Sequence, residues 1–137
     1  MFDLVEFQAG AIAFIIAFVV AGLFTAAFKG VYQLCTPYNE GALIKEGNLA
    51  ASIALWGALI GYVLPLASAL SHTVSLIEFV AWALLAGVIQ IVAFLIVRHL
   101  AIHNVKARIE AGDVSAAVYL AGISITVGIL NAACITD

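Results

Sequence analysis

Four long stretches of this chain contain no Asp, Glu, Lys or Arg, and they cover residues 7–28, 47–77, 79–97 and 114–136. Because the hydrocarbon core of a bilayer is about 30 Å thick, a helix needs about 20 apolar residues to cross it. Each stretch supplies one span, and in the longest one Pro65 and the polar residues after it are expected to end the helix. The predicted fold is an all-α membrane protein with four transmembrane helices, at about residues 7–28, 49–70, 76–97 and 114–135.

The composition excludes a soluble domain. Hydrophobic residues make up 66% of the chain and charged residues 9%, with a mean hydropathy of +1.21, whereas soluble domains carry about 25% charged residues. The four spans leave almost no soluble mass, so residues 1–137 are predicted to form a single transmembrane domain. The lipid bilayer is its main expected partner, and no nucleic-acid partner is expected.

The basic residues predict the orientation in the membrane. All five lie in the two segments that connect the first span to the second and the third to the fourth: Lys29, Lys45, Arg98, Lys106 and Arg108. Cytoplasmic loops of membrane proteins are enriched in Lys and Arg. Both termini are therefore predicted to lie on the non-cytoplasmic side, with the two basic segments inside the cell.

Each predicted helix follows a residue that is suited to cap it. Asp3 and Ser75 each stand three residues before a Glu, which is the spacing of a capping box. Asn48 and Asp113 each follow a glycine and are favoured N-cap residues. The first and third helices therefore begin alike, and so do the second and fourth, which indicates an internal repeat.

A shift of 65 residues reveals that repeat. It aligns residues 44–51 (IKEGNLAA) with residues 109–116 (IEAGDVSA), and a shift of 72 residues aligns Glu6 with Glu78. Residues 3–70 and 75–135 are therefore predicted to be two tandem helical hairpins. Because each copy contributes two spans, both copies have the same orientation, unlike the inverted repeats of many transporters.

Away from their ends, the last two predicted spans contain few polar residues, namely Gln90, Ser124, Thr126 and Asn131. They either line a polar path or form interhelical hydrogen bonds, and the second interpretation is favoured because no charge accompanies them in the membrane. Glu78 aligns with Glu6 in a first helical turn, where the helix dipole favours an acid. We interpret it as a capping residue, with the outer mouth of a path as the minor alternative.

Small residues recur at four-residue spacing on three of the predicted helices, and such stripes let helix backbones approach closely. The residues concerned are Ala13, Ala17 and Ala21 in the first helix, Gly57 and Gly61 in a GxxxG pattern in the second, and Gly128 in the fourth. These stripes offer more contact surface than a lone monomer needs. A homo-oligomer is predicted, and the pattern does not define its order.

Signatures of catalysis are lacking, so no enzyme, catalytic residue or cofactor is predicted. His99 and His103 have the spacing of a helical metal pair, but no third ligand accompanies them, and no metal site is predicted. Cys35 belongs to the first basic segment and Cys134 lies near the far end of the fourth span. They are about a membrane thickness apart, which excludes a disulfide within one chain.

The first basic segment contains a conspicuous polar and aromatic group, Pro37, Tyr38, Asn39 and Glu40. Both basic segments are too short for a catalytic domain, but they have room for short interfacial helices or a docking surface. The loop of residues 37–40 is therefore the candidate for binding a peripheral cytoplasmic partner.

Several of these residues also carry a resemblance to a known family. The 37–40 loop, the helix start at residues 46–51, the segment 65–69, Gln90, Arg98 and the closing segment 131–134 together resemble the DUF350 family of small bacterial inner-membrane proteins, also called YjfL-like. The resemblance covers nearly the whole chain. It implies four helices from two repeated hairpins and a location in the bacterial inner membrane, and it implies no catalytic residue. Some relatives are thought to be encoded beside envelope-maintenance proteins.

Two hypotheses about function follow from the sequence. The favoured one is a non-enzymatic, oligomeric inner-membrane scaffold that recruits a partner in envelope maintenance. The alternative is a homo-oligomeric channel or small transporter that conducts ions or protons along the polar residues of the last two spans. Proton-coupled drug export of the small multidrug type is disfavoured, because residues 7–28 contain no Glu.

Overall fold

The computed structural model describes residues 3–100 and 104–135, and over these residues the chain forms six helices and no strand. They are α1 (Leu4–Cys35), α2 (Glu40–Lys45), α3 (Leu49–His72), α4 (Leu76–Leu100), α5 (Val105–Glu110) and α6 (Val114–Cys134). His103 and Asp137 lie outside the described residues. The spacing of His99 and His103 and the predicted position of Asp137 are therefore not tested by the described residues.

Four of the described helices, α1, α3, α4 and α6, are long and apolar enough to cross a membrane. The predicted all-α membrane protein with four transmembrane helices is confirmed. The short helices α2 and α5 occupy the two basic segments, between α1 and α3 and between α4 and α6. Because every Lys and Arg lies toward the end of the bundle that carries α2 and α5, we call it the basic end.

Helix α1 is longer than its predicted span at both ends. It begins after Asp3, whose side chain accepts hydrogen bonds from the backbone amides of Val5 and Glu6. At the other end it continues past the apolar run to Cys35 and stops at Thr36, whose backbone is extended. Thr36 precedes a proline, and the proline ring disfavours helical backbone in the residue before it. The proline, rather than the loss of hydropathy, therefore sets the end of α1.

Helix α3 contains Pro65 in its interior and continues to His72. The expectation that Pro65 helps to end this helix is wrong. A proline has no backbone N–H, so the carbonyl of Gly61, four residues earlier, loses its helical donor. That oxygen lies so close to Gly128 on α6 that a side chain there would overlap it. A Cα–H of Gly128 therefore faces the free carbonyl, which is the geometry of a weak hydrogen bond.

The tightest contact in the bundle joins α3 to α6. A methyl group on Gly57 would overlap Ala121, and one on Gly61 would overlap the backbone of Ser124. Glycine is required at these positions because the two backbones approach each other directly. Three of the six small residues predicted to pack helices, Gly57, Gly61 and Gly128, thus lie in a contact within one chain.

The order of the contacts gives the direction of the helices. Between α3 and α6 they join Gly57 to Ala121, Gly61 to Ser124 and Ser68 to Ala132. Between α1 and α4 they join Phe24 to Phe79, Tyr32 to Phe94 and Cys35 to Arg98. Residue numbers rise together in both series, so each of these helix pairs is parallel. This arrangement is compatible with two hairpins that point the same way across the membrane.

Helix α1 lies at the edge of the bundle and has few neighbours. Its two buried residues are Phe28, whose ring stacks on that of Tyr62 with centroids 4.3 Å apart, and Tyr32. Ala13 is exposed, and Ala17 and Ala21 are half-buried. The small-residue stripe of α1 is therefore only partly covered by the chain itself, in contrast to the glycines of α3.

Candidate functional site

Two amide side chains are buried between the membrane-spanning helices. Nε2 of Gln90 donates to the carbonyl oxygen of Ser124 at 3.2 Å. Nδ2 of Asn131 lies 3.2 Å from the carbonyl oxygen of Ala86 and 3.3 Å from Oε1 of Gln90. Because a buried amide without partners is costly, these bonds account for both side chains as links between α4 and α6.

The other two polar residues of the last spans take different positions. Ser124 joins the amides through its backbone carbonyl. Thr126 is exposed, and its hydroxyl donates to the carbonyl oxygen of Gly122 in its own helix. The structure therefore brings Gln90 and Asn131 together and leaves the Thr126 side chain on the outer face of α6.

The acid at the opposite end of the bundle lies in a helix cap. The Oγ atom of Ser75 accepts a hydrogen bond from the backbone amide of Glu78 at 3.2 Å. Glu78 is half-buried in the first turn of α4. Its position matches that of Glu6 behind Asp3 at the start of α1.

At the basic end, α2 and α5 finish in the same kind of turn. Gly47 and Gly112 have φ angles of +84° and +80°, in the left-handed region that favours glycine after a helix. The next residues, Asn48 and Asp113, cap α3 and α6, and each accepts a hydrogen bond from the amide three residues later. The backbone hydrogen bonds that close the two turns also correspond at an offset of 65 residues.

Two side chains tie separate parts of the basic end together. Nδ2 of Asn48 donates to the carbonyl oxygen of Ile109 at 2.8 Å and to that of Glu110 at 3.4 Å. Nη1 of Arg98 donates to the carbonyl oxygen of Cys35 at 2.6 Å. The start of α3 is thus fixed to the end of α5, and the end of α4 to the end of α1.

One ion pair joins described residues, and it is local. Nε of Arg108 lies 2.8 Å from Oδ2 of Asp113. Its hydrogen bond lowers the pKa of the Asp113 carboxyl group below its ordinary value. Because both side chains are partly exposed, water screens the pair and its effect on stability is small.

The loop of residues 37–40 turns two of its four side chains inward. Tyr38 is 5% exposed and Glu40 is 2% exposed, and Pro37 is half-buried. Asn39 is exposed, and its Oδ1 caps α2 by accepting from the backbone amide of Ala42 at 3.1 Å. Of the four residues predicted to dock a partner, Asn39 therefore presents its side chain to the surface, and Tyr38 and Glu40 do not.

Beneath this loop lies a group that we call the tyrosine–glutamate cluster, made of Tyr32, Tyr38 and Glu40. These three side chains interact electrostatically with one another, and the positive charge of Arg98 on α4 favours the ionised form of Tyr38. Both hydroxyls and Oε1 of Glu40 are buried and have no hydrogen-bond partner among the described residues. Burial raises the pKa of Tyr38 to about 12 and also raises the pKa of Glu40 above its ordinary value.

Sequence reasoning found Tyr38 and Glu40 but missed Tyr32 as part of the cluster. A tyrosine near the end of an apolar run is typical of the membrane interface, where it needs no further explanation. A stronger signal was present in the repeat. The 65-residue shift places Glu40 opposite Val105, so one copy has an acid where the other has an apolar residue.

Neither the cysteines nor the metal-binding residue types form a site in the described part of the chain. Cys35 is half-buried at the basic end, Cys134 is exposed at the far end of α6, and both are free thiols. No group of three His, Cys, Asp or Glu side chains comes together there in a way that would hold a metal ion.

Comparison with known proteins identifies related sequences. Residues 6–135 match the family described as Domain of Unknown Function (DUF350). The chain is 38% identical over 125 residues to the UPF0719 inner membrane protein YjfL of Escherichia coli (strain K12), covering 91% of the chain and 94% of that protein. It is 29% identical over 77 residues to the UPF0719 transmembrane protein YshE of Bacillus subtilis (strain 168), covering 56% of the chain and 58% of that protein. No solved structure matches significantly.

Proposed function

The chain belongs to the DUF350 family of membrane proteins, and we propose that it is a non-enzymatic, homo-oligomeric scaffold that recruits a peripheral protein at its basic end. The observation that carries this proposal is the set of hydrogen bonds across that end. Asn48 joins the first basic segment to the second, and Arg98 joins α4 to α1. A surface held in one geometry before binding loses less conformational entropy when a partner docks.

The exposed side chains of this end suit a partner with mixed charge. Lys45, Glu46, Lys106 and Glu110 are exposed on or beside the two short helices. Charges at the rim of an interface act mainly on the rate of encounter and on the choice of partner. Recruitment through these residues and Asn39 is therefore favoured over recruitment through the buried Tyr38 and Glu40.

The buried amides support the scaffold over the channel. In a conducting path, polar side chains must be free to replace the hydration shell of an ion. Here Gln90 and Asn131 use their donors on backbone carbonyls and on each other. Their arrangement is that of interhelical hydrogen bonds, which hold membrane bundles together.

The orientation and the assembly are part of the proposal. The bias of Lys and Arg favours a cytoplasmic basic end and termini on the opposite side of the bacterial inner membrane. The exposed stripe at Ala13 and the partly covered Ala17 and Ala21 of α1 favour contact with another copy. Cysteine substituted for Ala13 is expected to cross-link between copies in membranes, and cysteine at the lipid-exposed Leu84 of α4 serves as the control.

Site-specific photo-cross-linking in cells tests the recruitment of a partner. A photoreactive amino acid replaces Lys45 or Lys106 at the basic end and, as matched controls, Val74 or Leu76 at the opposite end; all four are exposed. The scaffold predicts that the same discrete protein adduct forms from both basic-end positions and from neither control. Adducts of equal pattern from the two ends would contradict it.

Flux through purified protein in liposomes tests the alternative. The scaffold predicts no ion or proton flux above that of empty liposomes. Flux that disappears in Gln90→Leu or Asn131→Leu would place conduction first and would locate the path at the amides. The helix content and oligomeric state of both variants are measured as well, to show whether a loss of flux is caused by unfolding.

Labelling with a membrane-impermeant maleimide tests the orientation. In a background without Cys35 and Cys134, cysteine at Val74 is expected to react in intact spheroplasts. Cysteine at Lys45 is expected to react only after the membrane is permeabilised. The opposite pattern would reverse the topology and would place the basic end outside the cell.

A further inference from the structure

The tyrosine–glutamate cluster contains three buried polar atoms that have no hydrogen-bond partner in the described part of the chain. They are the hydroxyl oxygens of Tyr32 and Tyr38 and Oε1 of Glu40, in side chains that are 1%, 5% and 2% exposed. Buried polar atoms in proteins almost always have a hydrogen-bond partner, because leaving one unpaired is costly. Three such atoms within one cluster therefore call for an explanation in terms of function.

The fold itself does not require an acid at position 40. Glu40 and Val105 are the first residues of α2 and α5, two helices of equal length that lie 65 residues apart and end in the same turn. Val105 is 4% exposed, so the corresponding position of the second copy is filled by an apolar side chain. A valine would serve the packing without the cost of burying a carboxyl group. Packing therefore does not explain why position 40 is an acid.

The described residues do not supply a cation for Glu40. Their ion pair joins Arg108 to Asp113 and no other pair is formed among them. Arg98 on α4 instead donates to the Cys35 carbonyl and interacts with Tyr38. A buried carboxylate without a cation is strongly disfavoured, so it either keeps a proton or takes a positive charge from a ligand.

A pocket leads to the cluster from the surface of the basic end. It has a volume of about 480 Å³ and is lined by Gln33, Thr36, Pro37, Tyr38, Asn39, Glu40 and Gly41. This space is large for a bare metal ion and suits a small organic group. The ring of Tyr38 also offers an aromatic surface, which attracts cations.

We propose that this pocket binds a primary ammonium group, with Glu40 as its counter-ion and the hydroxyl of Tyr38 as a further acceptor. A primary ammonium has three N–H donors and no acceptor. Within the pocket lining, Glu40 presents an unpaired carboxyl oxygen and Tyr38 an unpaired hydroxyl oxygen. Charge and hydrogen-bond polarity therefore match. The inference does not depend on the proposed scaffold function.

The ammonium group has two possible sources, a free amine and the ethanolamine headgroup of a phospholipid. The pocket lies at the end of α1, a helix long and apolar enough to span the membrane, where headgroups are present. The chemistry recognised is the same in both cases. Experiments with and without the lipid distinguish the sources.

Binding of radiolabelled ethanolamine to the purified full chain tests the proposal, with the protein in nanodiscs of phosphatidylglycerol alone. Saturable binding is expected in the wild type. Glu40→Val is expected to weaken it on the order of tenfold or more, because a hydrogen bond to a charged group is lost. Choline is expected to compete poorly, because its methylated nitrogen has no N–H donor. Glu46→Gln, which changes an exposed acid of the same segment, is the matched control and should bind as the wild type does.

A second measurement separates loss of binding from loss of folding. Glu40→Val is expected to melt at the same temperature as the ligand-free wild type or higher, since it introduces the residue of the second copy. If it fails to fold, Glu40→Gln keeps the shape and still removes the charge. Absence of saturable ethanolamine binding in the wild type, or equal binding in the folded Glu40 variants, would overturn the proposal.

The dependence on pH gives an independent check. Burial raises the pKa of Glu40 above its ordinary value of 4.5. Tyr32 on α1 and Tyr38 in the loop interact with its carboxyl group, and Arg98 on α4 interacts with Tyr38. The tyrosines and the arginine keep their charge state in mild acid. Ethanolamine binding should therefore weaken as the pH falls towards the pKa of Glu40. Binding that is independent of pH down to 4.5 would contradict a carboxylate counter-ion.

Replacing part of the nanodisc lipid with phosphatidylethanolamine identifies the source. Competition between this lipid and free ethanolamine in the wild type, absent with phosphatidylglycerol, would assign the site to the lipid headgroup. Unchanged affinity for free ethanolamine would assign it to a soluble amine. Either outcome is read only after saturable ethanolamine binding that depends on Glu40 has been observed.

Discussion

The segments of α2 and α5 share their backbone from the short helix through the turn that follows it, and they differ in their side chains. Both contain a helix of six residues, a left-handed glycine and an Asx cap, and the two segments correspond at an offset of 65 residues. The α5 segment buries Val105 where the α2 segment buries Glu40. In the cap, Asn48 reaches across to the other segment, whereas Asp113 pairs with its own neighbour Arg108.

The comparison distinguishes residues that the turn requires in both segments from residues that occur in one segment only. Glycine after the short helix and an oxygen acceptor at the cap occur in both segments, so they belong to the turn itself. A buried acid and a side-chain bond across the two segments occur once. Features that one copy carries and the other omits are therefore the ones that point to function.

The largest expected effect comes from replacing glycine with alanine at equivalent positions of α3 and α6. It tests whether the two helices lose the same amount of stability. Gly57 and Gly122 correspond in the repeat, but a methyl group overlaps Ala121 at the first and meets no atom at the second. Gly57→Ala is expected to destabilise the protein by about 2–3 kcal/mol, because the backbones must separate.

Gly122→Ala is the control and should leave the stability unchanged or slightly raised, since alanine favours helix. Thermal unfolding in detergent, followed by circular dichroism, measures both. Equal effects of the two substitutions would mean that the α3–α6 contact is not the one described.

The next largest effect comes from giving the second copy the acid of the first. Val105→Glu places a carboxyl group at a position that is 4% exposed, and it is expected to cost about 2 kcal/mol. Val105→Leu controls for the change in size. A Val105→Glu protein as stable as the wild type would show that either segment tolerates an acid, and Glu40 would lose its significance.

A smaller effect is expected from exchanging the caps. Asn48→Asp keeps an oxygen for the cap but removes the donor to the Ile109 carbonyl. The unfolding free energy should fall by about 1 kcal/mol, the usual contribution of one hydrogen bond. Proteolysis or hydrogen exchange at the basic end should increase in parallel. Unchanged exchange would mean that the Asn48 bond does not hold the two segments together.

The smallest effect is expected from the reverse exchange, Asp113→Asn. The cap is kept and the exposed pair with Arg108 is lost, so only a small loss of stability is expected at neutral pH. Because the pKa of Asp113 is lowered in the folded state, its contribution is present above the ordinary value of 3.8 and is lost as the pH falls through that lowered pKa. Wild type and variant should therefore converge in acid, as unfolding measured against pH will show.

Sequence reasoning reached the fold and the family because both depend on signals distributed along the chain. Four uncharged runs predict four spans wherever the exact ends lie, and the DUF350 resemblance is confirmed by the match over residues 6–135. The ends themselves were less predictable. Pro37 ends α1 because it disfavours helical backbone at Thr36. Pro65 is accommodated inside α3 because Gly128 approaches the Gly61 carbonyl, which has lost its helical donor.

The candidate site was only partly predictable because burial at a loop depends on tertiary contacts. Tyr38 and Glu40 read as exposed loop residues, yet they turn inward against α1 and α4. The inward position of Tyr32 depends on the packing of the end of α1 beside Phe94. Periodicity cannot show this, since α1 is apolar on every side.

Because α3 and α6 pack along each other, the two hairpins do not need the covalent link between α3 and α4 to stay together. That link is short and includes the exposed Val74, while the close backbone contact and the Asn48 bond join one hairpin to the other. A protease nick at Val74 is therefore expected to leave the two fragments assembled. Two halves translated from separate messages should likewise find each other in the bilayer, as the pieces of a split protein do.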